Sequence, residues 1–368
     1  MRYFWIEDIN EFRNIAEKWD KAVLSLDDDN PFLLSDFIIS WWNYYSKDLK
    51  LMVFVMLDDD KIIGGVPLCK DKRGRAEYIG GWAANYTEFL SSDNNDILWM
   101  YFLEAIKKKD NWSSVSLKRY RKNHSELKIN NINGFLIDEM KSDRGYFIDI
   151  PDNFSTYLNS LPKTLRYYIR RSEKEFSNIG EINLASYKTC EEVDKLADKF
   201  INFSRKSFKV RNRKSAFEDL NYCRFFNKLI EKFCKAGYLD ANALKIGDKV
   251  VAIHFGYTIR NNLNYIFPAF DSDFSALNPG HLLIYKLVEL ASKRKNKMFN
   301  LYTGYQFYKE QWSNRKEEII SLVIRPKTFM AHIERRATNV VNSSFKSIKS
   351  FIKNADFYNR TLRKIIKR

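Results

Sequence analysis

Cysteine is scarce in this sequence: Cys69, Cys190, Cys223 and Cys234 are the only four in 368 residues, with no CxxC pair and no histidine at ligand spacing. That pattern supports neither a zinc site nor a disulfide framework, and it reads as the reduced thiols of a cytosolic protein. No metal is expected. Nowhere do 18 apolar residues run together, and Met1 to Asp20 carries acidic residues without an apolar stretch of signal length. A soluble or membrane-peripheral protein is therefore expected. A GxxxxGK loop, an HExxH pair and a GxSxG elbow are also missing, which argues against a P-loop NTPase, a zinc protease and an α/β-hydrolase.

What is present is a globular composition, 45% apolar and 15% aromatic, in a chain long enough for two domains with their own cores and a tail. The net charge of +16 suggests an anionic partner: a nucleotide cofactor, an anionic membrane surface, a charged glycan or nucleic acid. The aromatics follow core periodicities rather than a stacking platform interleaved with arginine, which weakens the nucleic-acid reading.

The most informative stretch is 250–312. Val250 to Tyr257 and Leu263 to Phe270 are rich in apolar, β-branched and aromatic residues, with Arg260-Asn261-Asn262 as turn chemistry between them, so two adjacent antiparallel strands are predicted. Leu282, Leu283, Tyr285, Lys286, Leu287, Leu290 and Ala291 then share one helical face, with Asn278 as the expected N-cap and Pro279 at N1. A helix start behind the small-residue loop Ser275 to Gly280 suits a phosphate or pyrophosphate. Met298 to Tyr302 reads as a strand returning beside the first two.

These residues resemble the second GNAT-type domain of the CelD/BcsL-type acetyltransferases, relatives of the Fem aminoacyltransferases. The family has a strand ending in Asp, a Ser-Pro-Gly helix start, a strand with Phe-Asp, a Gly and a Tyr-Lys pair. This chain has Asp271, Asn278-Pro279-Gly280, Phe299-Asn300, Gly304 and Tyr308-Lys309. Pro67-Leu68 and the run Ile79 to Leu90 are similar to the family's first domain, with Asn85, like Asn300, an amide where the family has a carboxylate. The resemblance implies an α/β (α+β) chain of tandem GNAT-like domains, each a mixed, mostly antiparallel sheet flanked by helices. The expected boundaries are 1–150, 151–330 and a basic helical tail over 331–368.

In chain order, 8–25 has helical periodicity, and Phe37, Ile38, Trp41, Trp42 and Tyr45 share a face that is either core or ligand-stacking. Strands are predicted at 51–57 and 62–68 around an acidic turn, a helix at 98–108, and strands at 114–117 and 147–150. Asp60 to Gly64 and Asp248 to Ala252 form a weak internal repeat, each opening a strand after a polar turn, which supports two copies of one unit. Residues 153–176 have helical spacing, with Lys163, Arg166, Arg170, Arg171 and Lys174 forming a solvated face or one that meets an anionic substrate. The wording LPKTLRYYIRRSEKEF is similar to the family's arginine-rich helix. Helices are expected at 191–207 and 217–236, joined by a basic stretch, Arg205 to Lys214, that borders an acceptor pocket. Residues 333–368 hold ten Lys/Arg against two acidic residues, with apolar positions at helical spacing. That tail either lies on an anionic bilayer or packs on the body with a basic side to solvent.

Transfer of an acyl group from a thioester needs a grip on the donor's pyrophosphate, a slot for its pantetheine arm, a hydrogen-bond donor for the oxyanion and proton management. The expected donor grip is Ser275, Asn278, Pro279, Gly280, His281 and Leu282, with the slot between strands 263–270 and 298–302. The resemblance makes Tyr308 the proton donor to the leaving thiolate and Lys309 the charge-neutralising lysine, while Asp271 and His254 are the nearest ionisable candidates for a base. Trp42, Tyr86, Glu88 and Asn300 are expected to meet the acceptor. The resulting expectation is a cytosolic or membrane-peripheral N- or O-acyltransferase using acetyl-CoA or another acyl-CoA. Its acceptor would be a small molecule or glycan of the cell envelope. A Fem-like enzyme using aminoacyl-tRNA and a non-catalytic binding module are the alternatives.

Overall fold

The computed structural model of the chain describes residues 1–25, 30–91, 95–121 and 134–328. The basic tail expected over 331–368 lies outside the described residues. The first half runs β1 (Arg2–Ile6), α1 (Ile9–Ser25), α2 (Ser35–Tyr45), β2 (Lys50–Asp58), β3 (Lys61–Lys70), β4 (Arg75–Tyr78), β5 (Leu90–Ser91), α3 (Asn95–Lys107), β6 (Ser114–Arg121) and β7 (Phe135–Asp149). Two helices follow, α4 (Phe154–Ser160) and α5 (Lys163–Ser177). The second half runs β8 (Ile182–Tyr187), α6 (Cys190–Val210), α7 (Leu220–Lys235), β9 (Leu239–Ile246), β10 (Lys249–Ile259), β11 (Asn262–Phe270), α8 (Pro279–Lys293), β12 (Met298–Thr303), α9 (Phe307–Trp312) and β13 (Arg315–Pro326).

The same unit occurs twice. In each half a strand leads to two helices, an antiparallel hairpin, a further strand, a helix and a parallel return. β4 pairs with β6 in parallel at Arg75↔Ser114 to Glu77↔Ser116, as β11 pairs with β12 at Asn262↔Met298 to Asn264↔Asn300. The strands join in one 13-stranded mixed sheet, most of whose neighbouring pairs are antiparallel. β13 lies between β6 and β7, and β7 also pairs with β12, so strands of both halves interleave at the centre of the sheet.

Local chemistry explains the elements. Arg260 and Asn261 both have positive φ (50° and 64°), the backbone a two-residue hairpin with primed-turn geometry requires. The helix expected over 153–176 is instead two helices, because Pro162 pushes Leu161 into an extended conformation (φ −65°, ψ 150°). The strand expected at 114–117 runs on to Arg121, and that expected at 147–150 begins at Phe135. Both extensions cross polar sequence because the partner β13 supplies the apolar run Ile319 to Ile324.

Three apolar clusters form the core. One lies under α1, α2 and α3 and reaches Phe225 and Phe233 of α7; one joins α4, α5 and α8 to the sheet; one joins α6 and α7 to β9, β10 and β11. α5 and α8 thus cover one region of the second half, and α6 and α7 another. The halves also meet through Phe37 and Phe225, with ring centroids 6.1 Å apart, and through Lys232 and Asp36 at 3.1 Å. Among the described residues no helix is long and apolar enough to cross a membrane.

Candidate functional site

β11 and β12 touch for only three residue pairs before they part. At that point β12 carries a bulge, a register shift against β7 between Asn300 and Tyr302, with Tyr302 in the left-handed region at φ 60°. Such a backbone is uncommon for a bulky residue and is held here by specific bonds. The Tyr302 N–H donates to Asn300 Oδ1 (2.9 Å), and the Tyr302 hydroxyl donates to Asn264 Oδ1 (2.8 Å). Asn300 Nδ2 donates to Asn264 Oδ1 (3.3 Å), and Tyr86 donates to Asn300 Oδ1 (3.3 Å). The amide at 300 is needed as it stands, since a carboxylate has no N–H to give Asn264.

The parted strands open into a cavity of about 490 Å³. Its walls are Tyr265, Ile266, Pro268, Ala269 and Phe270 of β11, Leu301 and Tyr302 of β12, the start of α8, the end of α6 and the residue after it (Ser204, Ser207, Phe208, Arg211), and Gln306, Tyr308 and Lys309. Asn85 reaches it from the first half, where its carbonyl accepts a bond from Thr303 Oγ1 (3.4 Å).

Of the expected donor grip, Ser275, Asn278, Pro279, Gly280 and His281 line the cavity, whereas Leu282 is buried in the core beneath it. Asn278 is the N-cap of α8 and Pro279 follows it at the first position, as expected, but the Asn278 side chain makes no capping bond. It also ends the 3-10 turn Ser272–Leu277, and so takes a left-handed conformation (φ 52°, ψ 50°) that asparagine tolerates. Its carbonyl accepts from His281 N (3.1 Å) and Leu282 N (3.4 Å), so of the first-turn amides only Gly280 N–H lacks a partner among the described residues.

Tyr308 and Lys309 sit together at the cavity wall. Burial pushes the Tyr308 hydroxyl up to about 12, so it keeps its proton through the neutral range. Lys309 is 7% exposed and donates to the Thr303 carbonyl (2.6 Å). Burial brings it down to about 8, with Asp143 acting weakly the other way. His281 accepts a bond at Nδ1 from buried Trp312 (3.1 Å), and burial lowers its pKa, so the neutral imidazole carries its proton on Nε2.

The remaining expected residues lie elsewhere. His254 is fully buried, stacked on Tyr265 with ring centroids 4.8 Å apart and lowered to about 4 by burial. Asp271 caps the 3-10 turn through Asp273 N (3.2 Å) and pairs with Lys206 (3.1 Å). Neither lines the cavity. Trp42 packs on the first core cluster, and buried Glu88 accepts from Asn30 (2.7 Å) and lies near Arg121 (3.7 Å). Tyr86 and Asn300 support the bulge rather than the cavity wall. Arg211, Ser204, Ser207 and Gln306 are lining residues that motif reading did not single out, and Asn85, noted there only for its amide, lines the cavity as well. The basic composition of 205–214 was the only signal for Arg211.

Comparison with known proteins agrees with this geometry. Residues 163–310 match the family described as acetyltransferase (GNAT) domain. FemX shares the fold at a TM-score of 0.63 and 11% identity, over 88% of this chain and 97% of FemX. The C-terminal domain of a protein named as a lysylphosphatidylglycerol synthetase, from Agrobacterium fabrum, does so at 0.55 and 11% identity, over 89% of this chain and 96% of that domain. An uncharacterized protein of Methanocaldococcus jannaschii is 24% identical over 176 residues, which is 44% of this chain and 27% of that protein's length. At these identities the structural likeness is one of fold. The family match covers the helix start, the bulged strand and the Tyr-Lys pair, so the stretch similar to an acetyltransferase (GNAT) domain is the one that builds the cavity.

Proposed function

We propose that the protein is an acyl-CoA-dependent N- or O-acyltransferase of the CelD/BcsL type. The observation that carries the reading is the cavity where β11 and β12 part, walled by the first turn of α8 and by Tyr308-Lys309. The Gly280 N–H and the positive end of α8 suit the donor's pyrophosphate. The parted strands accept the pantetheine arm, and the acceptor attacks the thioester carbonyl. The Lys309 ammonium stabilises the oxyanion that forms, and Tyr308 protonates the departing thiolate. The polar rim of Asn85, Ser204, Ser207 and Gln306 beside Arg211 suits a hydroxylated, anionic acceptor. We infer an amino sugar or hydroxyl on a cell-envelope polysaccharide precursor, with acetyl as the transferred group and the cytoplasm as the site of action.

The test is calorimetric titration of acetyl-CoA into the wild type and Gly280→Glu. A Cβ at 280 meets nothing nearer than Phe270 at 3.8 Å, so the variant folds while its carboxylate occupies the anion position. Saturable binding that the variant loses supports the reading; no binding of any acyl-CoA overturns it.

One observation favours a second reading, aminoacyl transfer from a charged tRNA. α5 exposes Lys163, Arg170, Arg171 and Lys174 together with Tyr167 and Tyr168, a mixture of cations and stacking rings suited to a polyanion. Binding of aminoacyl-tRNA without binding of acyl-CoA would select it.

A further inference from the structure

Away from the donor cavity, Cys190 and Cys234 lie with their Sγ atoms 2.8 Å apart, 44 positions apart in the chain. That is closer than van der Waals contact between two sulfurs, and within 1 Å of the roughly 2.05 Å of a disulfide bond. Two helices hold the approach. Cys190 is the first residue of α6, behind the Thr189 cap, and Cys234 is in the last turn of α7. The pair is reached from outside, because both cysteines are only partly buried. Cys234 also lines a second cavity of about 340 Å³, together with Tyr187, Lys188, Asp240, Thr258 and Arg294. By contrast, Cys69 and Cys223 are buried.

We propose that Cys190 and Cys234 form a redox-active dithiol, oxidised to an intramolecular disulfide by an anionic low-molecular-weight disulfide such as oxidised glutathione, which reaches the partly buried pair beside Lys188. Burial holds Cys234 up to about 12, so Cys190 begins the exchange. Its thiolate attacks one sulfur of the oxidant, the oxidant's S–S bond breaks, and one glutathione leaves and takes up a proton. Cys234 then gives its proton to solvent and attacks the Cys190 sulfur. The Cys190–Cys234 bond forms, and the second glutathione leaves. The protein loses two electrons, and one oxidised glutathione becomes two thiols. The bond fastens the start of α6, whose far end lines the donor cavity, to the end of α7.

The test uses the full chain, reduced, freed of reductant and incubated with oxidised glutathione. It is then alkylated after denaturation and digested for mass spectrometry. The expected result is a single linked peptide pair joining Cys190 and Cys234, with Cys69 and Cys223 alkylated and no glutathione retained. In Cys234→Ser the linked pair is lost, and Cys190 retains glutathione as a mixed disulfide. Four alkylated cysteines in the wild type, or stable glutathione adducts on both Cys190 and Cys234, would overturn the proposal.

Discussion

Lys309→Met tests the electrostatics of the site without knowledge of the acceptor. Burial lowers Lys309 from its ordinary 10.5 to about 8. Below pH 8 the lysine is charged in both folded and unfolded chains, and the folded state bears the full cost of a buried cation. Between pH 8 and 10.5 the folded chain releases the proton while the unfolded chain keeps it, so this group's contribution to stability rises with pH. At about 1.4 kcal/mol per pKa unit the whole effect is about 3 kcal/mol, of which about 2 kcal/mol develops between pH 7 and 9.5. Methionine has similar length and no charge. It also loses the bond to the Thr303 carbonyl, an offset that varies little while the lysine stays bonded. Urea unfolding of both proteins at pH 7, 8.5 and 9.5, with matching m-values, should show the wild type gaining about 2 kcal/mol on the variant. Parallel profiles across that window would refute the assignment of a lowered pKa to Lys309. The same titration should appear in turnover as a fall above pH 8, as the ammonium is lost; a rise there would make Lys309 a base instead.

Tyr308→Phe removes the proposed proton donor and should lower kcat by about 100-fold while acetyl-CoA affinity stays within a factor of two or so, read by release of free CoA thiol; unchanged kcat would exclude it as the donor. Asn300→Asp puts a carboxylate against Asn264 Oδ1 at a position 1% exposed. Stability at pH 7 should fall by about 2–4 kcal/mol and recover partly in acid, where the raised pKa of the buried carboxyl keeps it neutral. Gly65→Ala introduces a Cβ 2.7 Å from the Phe54 carbonyl oxygen and from the Trp19 ring. It should cost about 1–3 kcal/mol in urea unfolding, while acetyl-CoA binding by the folded fraction is unchanged.

Much of the site was legible because its pieces are local. The turn at Arg260-Asn261, the helix start at Pro279-Gly280 and the Tyr308-Lys309 pair each depend on a few consecutive residues, and each occurs where the pattern put it. His254 and Asp271 were harder, since proximity in sequence says nothing about which side of a strand faces the cavity. The N-cap position of Asn278 was legible, but its left-handed backbone was not, because the 3-10 turn before it, which sets that backbone, has no clear periodicity. β13 was not foreseen; its first residues, Arg315 to Glu318, are all charged, and its place depends on β6 and β7 some 200 positions away.

By itself the sequence determined the class and order of the elements with a clear local pattern, because helix and strand periodicity, turn residues and breakers act over a few positions. It also determined the strong positive charge and the grouping on one loop and helix of the residues proposed to hold the donor. Only the tertiary structure decided that β11 and β12 part at the Asn300 bulge, that Asn85 and Arg211 reach the same cavity, and that Cys190 meets Cys234. Burial decided the chemistry of the site as well. Tyr308 and Lys309 are an ordinary phenol and ammonium until the surrounding chain removes water from them and moves one up to about 12 and the other down to about 8.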